Sequence, residues 1–102
     1  MKFFIVTCLK EYHDVVTKIF KQANIRVFSV TDVIGFKDNH TPNLLADWFA
    51  SGDEKFDSMI IFSFTDVENA EHAMDLIKKY NDTSDTGFPL RAFIVPVEKT
   101  SY

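Results

Sequence analysis

The sequence predicts one α+β domain in which four strands and two helices follow the order β-α-β-β-α-β. Four short runs rich in β-branched and aromatic residues are typical of strands, and two longer stretches repeat apolar residues at helical spacing. A length of 102 residues is usual for one domain, and a hydrophobic content of 46% supplies one substantial core. We therefore expect a single domain over residues 1–102.

The first strand is predicted over residues 3–9, and the first helix follows it. The strand segment is apolar and ends at the charged pair Lys10-Glu11. From Tyr12 to about Asn24, apolar residues recur at intervals of three and four, which describes the buried face of an amphipathic helix. The residues of this face are Tyr12, Val15, Val16, Ile19, Phe20 and Ala23.

The rest of the chain predicts three more strands and a second helix. Strands are expected over residues 27–34, 59–64 and 91–97, with a polar turn over 81–87. Thr65 and Glu68 form a capping box, which predicts Thr65 as the N-cap of the second helix. Pro96 has no N–H and is expected at a sheet edge or a strand end. The helix positions expected to be buried are Val67, Ala70, Ala73, Met74, Ile77 and Tyr80.

This element order is the ferredoxin-like βαββαβ arrangement, an antiparallel sheet with both helices on one face. The other face should alternate polar and apolar residues if it met water, yet residues 3–6, 59–62 and 92–95 are apolar throughout. A large apolar face left in water promotes aggregation. We therefore expect further copies of the chain to cover it in a homo-oligomer.

The connection from Phe36 to Asp57 is far longer than a hairpin loop and contains helix signals of its own. Thr41 is a plausible N-cap, Pro42 suits the first helical position, and Gly52 suits the residue after the last turn. Two interpretations of its apolar stripe stay open: docking onto a partner protein, or packing onto the core or a neighbouring subunit. The stripe consists of Leu44, Leu45, Trp48 and Phe49.

Charge and cysteine content exclude several classes of function. A net charge of −4 argues against a protein that coats nucleic acid or an anionic membrane, because those functions need a basic patch. The single cysteine, Cys8, cannot form an intramolecular disulfide, and the first residues show no cleavable leader. No apolar run is long enough to span a membrane. We expect a cytoplasmic protein that does not bind nucleic acid or insert into a membrane.

Two segments resemble the PII family of nitrogen-regulatory signalling proteins. Residues 29–36 read SVTDVIGF and resemble the Thr-Val-Thr-Glu-Val-x-Gly-Phe signature that leads into the long T-loop of that family. Residues 91–98 read RAFIVPVE and resemble its Lys-Ile-Phe-Val-x-Pro-Val-Glu strand, and Thr86-Gly87 stands where the family's B-loop begins. The chain is thereby identified as a divergent PII-like member.

The resemblance implies a homotrimer with inward-facing sheets, ligand sites in the clefts between subunits, and a loop over residues 37–56 that docks on a partner such as a transporter or a regulatory protein. In PII proteins the clefts bind ATP or ADP. The positions that match the family's ligand-binding residues are Ser29, Gly35, Phe36, Lys37, Asn39, Gly87 and Arg91.

This sequence departs from the family where phosphates are bound. The glycine-rich Gly-Asp-Gly-Lys of the B-loop, whose backbone amides cradle phosphates, is replaced by Phe88-Pro89-Leu90-Arg91. Asp57 stands at roughly the position of a T-loop lysine, and the family's C-terminal arginine segment has no counterpart. These departures remove most of the cationic partners of a triphosphate and count against tight ATP binding. The expected ligand is an adenine nucleotide or another small anion. Lys37 and Arg91 are its expected cationic contacts, with ordinary surface charge as the alternative.

The residue types present leave two alternative functions, a metal-binding protein and an enzyme. A CutA-like metal-binding trimer would use Cys8 or His40, although the thiol suits a buried strand position and His13 and His72 suit exposed helix positions. A small ferredoxin-like enzyme would use Asp32 as a general base if that residue were buried, and a hydrogen-bonded strand residue at a subunit contact is the alternative. We expect no resident metal and no enzymatic activity.

Overall fold

The computed structural model describes residues 1–36, 55–84 and 88–101. Within these residues the predicted element order is confirmed, with a 3-10 turn at Lys10–Tyr12 before the first helix. The elements are β1 (Lys2–Leu9), α1 (His13–Gln22), β2 (Ser29–Phe36), β3 (Lys55–Thr65), α2 (Val67–Thr83) and β4 (Arg91–Pro96).

The four strands form one sheet in the order β2-β3-β1-β4, and every neighbouring pair is antiparallel. This is the expected ferredoxin-like topology, with β2 and β4 at the two edges. Pro96 is the last residue of β4, so it lies both at a sheet edge and at a strand end, as predicted. Its missing N–H therefore costs no central ladder hydrogen bond.

The core lies between the two helices and one face of the sheet. Successive strand residues point to opposite faces, so Phe4, Val6 and Cys8 of β1 face the helices and are buried. The ring of Phe20 from α1 lies 5.5 Å from the ring of Phe4 and 5.3 Å from that of Phe28. The apolar stripe predicted for the first helix is thus the surface that α1 packs against the sheet.

The first helix ends where an asparagine takes a left-handed conformation. Asn24 has a φ of 63°, and the amide of Ile25 donates to the carbonyl of Phe20 at 2.8 Å. This is the Schellman arrangement, which satisfies carbonyls that the last helical turn leaves without partners. Ile25 is buried, so the chain turns back toward the core before β2 begins.

The start of the second helix corrects the predicted N-cap. Thr65 is the last residue of β3 and is paired with Lys2, whereas Asp66 is the cap, its Oδ1 accepting from the amide of Asn69 at 2.8 Å. The prediction of Thr65 was wrong because strand pairing outweighed the local capping pattern. Val67 consequently occupies the first helical position, where it is 49% exposed instead of buried.

The boundaries of β2, β3 and α2 also differ from the predicted ones. β2 ends at Phe36 and β3 begins at Lys55, because the antiparallel pairing continues until these two residues face each other. α2 continues to Thr83, so the first residues of the turn predicted over 81–87 are helical. There the Thr83 hydroxyl donates to the carbonyl of Lys79 at 3.0 Å.

Candidate ligand site on the open sheet face

The sheet face opposite the helices, here called the open face, is apolar and largely uncovered by the described residues. Phe64 is 57% exposed and Val95 is 44% exposed. The ring of Phe3 lies 5.0 Å from that of Phe64 and 5.7 Å from that of Phe62. Such a continuous aromatic surface is typical of a protein interface. Its apolar members include Phe3, Ile5, Phe62, Phe64, Phe93 and Val95.

At one end of the open face, polar residues join apolar ones, since Leu9, Ile60 and Val33 share this face with Thr7 and Ser58. We define the Arg91 corner as Thr7 of β1, Ser58 of β3 and Arg91 of β4. Thr7 faces Arg91 directly in the β1–β4 pairing, and Ser58 faces Leu9 in the β1–β3 pairing. Ser58 lies two strand spacings from Arg91 and two residues further along the sheet, so their backbones are roughly 12 Å apart. The register therefore places both hydroxyls and the long Arg91 side chain at the same end of the open face.

Two donors of the Arg91 corner are buried without a hydrogen-bond partner. The Ser58 Oγ and the Arg91 Nε are the atoms concerned among the described side chains, and Ser58 is 1% exposed. A buried polar group left without a partner costs about 1–3 kcal/mol, so native proteins rarely keep such a group without a function. Both atoms can donate a hydrogen bond, which matches the chemistry of an anion-binding site.

The predicted site residues on β2 lie on the open face but far from Arg91. Ser29 and Gly35 share this face because they pair with Phe62 and Phe56 of β3. β2 and β4 are opposite edges of the sheet, three strand spacings or roughly 14 Å apart. One chain therefore does not bring these β2 residues to Arg91. Phe36 alternates onto the other face, where it is 67% exposed.

The remaining predicted residues of the ligand site and of the docking loop lie outside the described residues. They are Lys37, Asn39, Gly87, Leu44, Leu45, Trp48 and Phe49, together with the helix signals over 41–52 and His40. Of the segment before β4, Leu90 is buried and Pro89 is exposed.

Sequence reasoning found Arg91 but did not single out Thr7 or Ser58. Thr7 was treated as one more residue of an apolar strand, and the third strand was predicted to begin at Met59, one residue after Ser58. The available signal was a hydroxyl residue beside or within each apolar run. That signal identifies no site by itself, because only the register shows that Thr7 faces Arg91 and that Ser58 lies at the same end of the open face.

Asp32 does not meet the condition under which it was considered a general base. It is exposed, and its Oδ2 lies 3.3 Å from the Nζ of Lys10 in a surface ion pair. Exposed pairs of this kind contribute about 0–1 kcal/mol. Asp32 therefore lacks the buried environment that prepares a carboxylate for proton transfer.

The candidate metal ligands are not brought together in the described part of the chain. Cys8 is buried among core residues, whereas His13 and His72 are exposed on α1 and α2. Among the described residues, no group of three or more His, Cys, Asp and Glu side chains could hold a metal ion. The interpretation of Cys8 as a small buried core residue agrees with its position.

We expect the buried thiol of Cys8 to lower the free energy of unfolding as the pH rises above 9.0. Burial raises the pKa of its thiol from 9.0 to about 12. Below pH 9 the thiol is protonated in both states, whereas between pH 9 and about 12 only the unfolded chain loses the proton. Each pH unit in this window should cost up to about 1.4 kcal/mol. Urea unfolding of wild type and Cys8→Ala from pH 8 to 11 checks this, and equal slopes would contradict it.

Comparison with known proteins shows a likeness of fold. No family model and no curated protein matches the sequence. Among solved structures, the chain is similar to CPII, a nitrogen regulatory PII-like protein from Thiomonas intermedia K12 bound to ADP, AMP and bicarbonate. The TM-score is 0.61 over 97% of this chain and 93% of that chain, at 9% sequence identity.

No helix in the described part of the chain is long and apolar enough to cross a membrane.

The fold agrees with the one expected from the two sequence segments. It has a four-stranded antiparallel sheet with two helices on one face, and it is similar in structure to CPII. The chain therefore has a PII-like, ferredoxin-like fold.

Proposed function

We propose that this protein is a PII-like regulatory protein that binds a small anion at the Arg91 corner. The main supporting observation is the pair of buried donors without partners, the Arg91 Nε and the Ser58 Oγ. Guanidinium and hydroxyl donors suit the oxygens of a carboxylate, a bicarbonate or a phosphate group. The PII-like fold supports regulation by ligand binding over catalysis.

The corner suits an anion of low charge better than a nucleoside triphosphate. Arg91 is its one cationic side chain in the described part of the chain, and a triphosphate needs several cationic or backbone donors. Pro89 has no N–H, so the segment before β4 offers fewer backbone donors than a glycine-rich loop. CPII, the structural neighbour, was bound to ADP, AMP and bicarbonate. For this protein, bicarbonate, inorganic phosphate and AMP are the first ligands to test.

The proposed assembly is a homotrimer in which other copies cover the open face. The exposed aromatic and aliphatic residues on that face support a covering partner, and a second copy of the same chain is the simplest one. In such an assembly, Ser29 and Gly35 of one copy can meet Arg91 of another, which one chain alone does not allow. The ligand site would then lie between subunits.

The proposed output is a contact with a transporter or regulatory protein through the segment 37–56. Leu44, Leu45, Trp48 and Phe49 form the apolar stripe proposed to make this contact, because aromatic residues often anchor protein interfaces. The segment joins β2 to β3, and both strands contribute residues to the open face. In an assembly where β2 of one copy approaches Arg91 of another, a ligand at the Arg91 corner would lie near the strand that leads into the docking segment.

Arg91→Ala is expected to weaken anion binding by roughly tenfold to a hundredfold. A hydrogen bond to a charged group contributes about 1.5–3 kcal/mol, which corresponds to this change in affinity. Calorimetric titration of wild type and variant with sodium bicarbonate, sodium phosphate, AMP, ADP and ATP checks the prediction. Arg26→Ala is the matched control. Arg26 is exposed, and its Nε donates to the Oδ1 of Asn24. It precedes β2, which is the sheet edge opposite β4.

A second variant separates binding from folding. Ser58→Ala removes a buried hydroxyl that has no partner, so we expect weaker anion binding with an unchanged or higher melting temperature. If wild type gives no heat with any of the five ligands, or if Arg26→Ala and Arg91→Ala lower the affinity equally, the anion-binding function is wrong.

A further inference from the structure

Asn81, near the C-terminal end of α2, holds the chain that leads into β4. Its Nδ2 donates to the carbonyl of Leu90 at 2.8 Å, and its Oδ1 accepts from the amide of Leu90 at 2.9 Å. One side-chain amide thus satisfies both backbone groups of a single residue. Leu90 is buried, and the next residue is Arg91.

The two hydrogen bonds between Asn81 and Leu90, here called the clamp, continue the hydrogen bonding of the backbone where the pairing of β4 with β1 ends. The β1–β4 pairing ends with Thr7 facing Arg91, so Leu90 lies one residue beyond the ladder. The Asn81 amide presents a donor and an acceptor, as the backbone of a neighbouring strand would. Arg91 is therefore held on one side by its pairing with β1 and on the other by the clamp on Leu90.

The placement of Arg91 matters because its Nε is buried. A guanidinium binds anions through donors in a rigid planar fork, so a shift of its backbone changes which donors reach the ligand. Binding sites need their contacting groups held within about 0.5 Å of the productive geometry. The residue that fixes the backbone beside Arg91 thus affects binding without touching the ligand.

We infer that Asn81 is a positioning residue for the Arg91 corner, acting through the backbone of Leu90. The effect on ligand affinity rests on the proposed anion-binding function, whereas the effect on Arg91 is measurable without any ligand. The amide does not ionise, so the clamp keeps its donor and acceptor at every physiological pH.

Thr83 provides a matched control on the same helix. Its hydroxyl donates to the carbonyls of Lys79, at 3.0 Å, and Tyr80, at 3.3 Å, and both acceptors belong to α2 itself. Asn81 and Thr83 therefore both bond side chain to backbone near the helix end, but only Asn81 reaches Leu90. A general loosening of the helix end affects both variants alike.

The test compares Asn81→Leu with Thr83→Ala by nuclear magnetic resonance and calorimetry. In Asn81→Leu we expect the Leu90 amide to lose its protection from hydrogen exchange and the Arg91 Nε–H resonance to shift or broaden. Affinity for bicarbonate and phosphate should fall roughly tenfold, the lower end of the effect of residues that orient ligand-binding side chains. Thr83→Ala should leave all three readouts at their wild-type values.

A second variant covers the case in which Asn81→Leu does not fold. Asn81→Ala removes both bonds to Leu90 without adding bulk or charge. Its exchange rate and affinity should therefore match those expected for Asn81→Leu.

The possible failures are distinguishable. If the Leu90 amide stays protected, or if the Arg91 resonance is unchanged in both Asn81 variants, the positioning role is wrong whether or not the protein binds an anion. If wild type binds phosphate or bicarbonate and both variants bind equally well, the link to affinity is wrong. If wild type binds neither anion, the proposed function fails, and the exchange and resonance data still decide whether Asn81 positions Arg91.

Discussion

Replacing Val95 by aspartate is expected to convert the proposed trimer into folded monomers. Val95 lies on the open face of the edge strand β4, opposite Phe3, and is 44% exposed within its own chain. An aspartate at this position stays in contact with water in a monomer, so folding changes little. If another copy covers the face, the same carboxylate is buried without a partner, which costs several kcal/mol per ion. Light scattering coupled to size exclusion measures the mass of both proteins.

Val67→Asp is the matched control for this experiment. Val67 is 49% exposed, but it lies at the start of α2 and not on the open face. The same substitution there should leave the assembly intact, since a carboxylate near a helix N-terminus is even slightly favourable. A monomeric wild-type protein, or a Val95→Asp variant that keeps the wild-type mass, would show that other copies do not cover the open face.

Phe20→Ala is expected to lower the free energy of unfolding by about 3–5 kcal/mol. Phe20 is fully buried, and its ring contacts those of Phe4 and Phe28 between α1 and the sheet. The loss is a large part of the roughly 5–15 kcal/mol that stabilises a typical domain. Urea unfolding in the Val95→Asp background measures it without a contribution from assembly.

Phe36→Ala makes the same chemical change at an exposed position. The side chain of Phe36 is 67% exposed at the end of β2, so its removal should change the free energy of unfolding by no more than about 0.5 kcal/mol. Equal losses for the two phenylalanines would contradict a core centred on Phe4, Phe20 and Phe28.

The element order was predictable because local periodicity reflects which face of a helix or strand is buried. The stripe from Val16 to Phe20 predicted α1 correctly, and the aliphatic run around Ile60 predicted β3. Element boundaries were less predictable, because residues far apart in the chain compete with local signals. Thr65 pairs with Lys2, far from it in sequence at the start of β1, and the helix cap consequently moves to Asp66.

The candidate site was predictable only in part. Arg91 stood out because it takes the place of the lysine that begins the family's last strand motif, which residues 91–98 resemble. Thr7 and Ser58 did not stand out, since a hydroxyl residue in an apolar run is common and its role depends on its neighbours across the sheet. Asn81 is nine residues from Leu90 in sequence, and no local pattern predicts that its side chain bonds to that backbone.

The sequence by itself determined the α+β class, the order of its elements and a sheet that is apolar on both faces, because each follows from patterns within a few successive residues. Only the tertiary structure decided the strand register, which brings Thr7, Ser58 and Arg91 to one corner and separates Arg91 from the β2 residues. The physical reason is that register depends on the summed energy of the hydrogen bonds and side-chain contacts along whole strands. That sum involves residues dozens of positions apart.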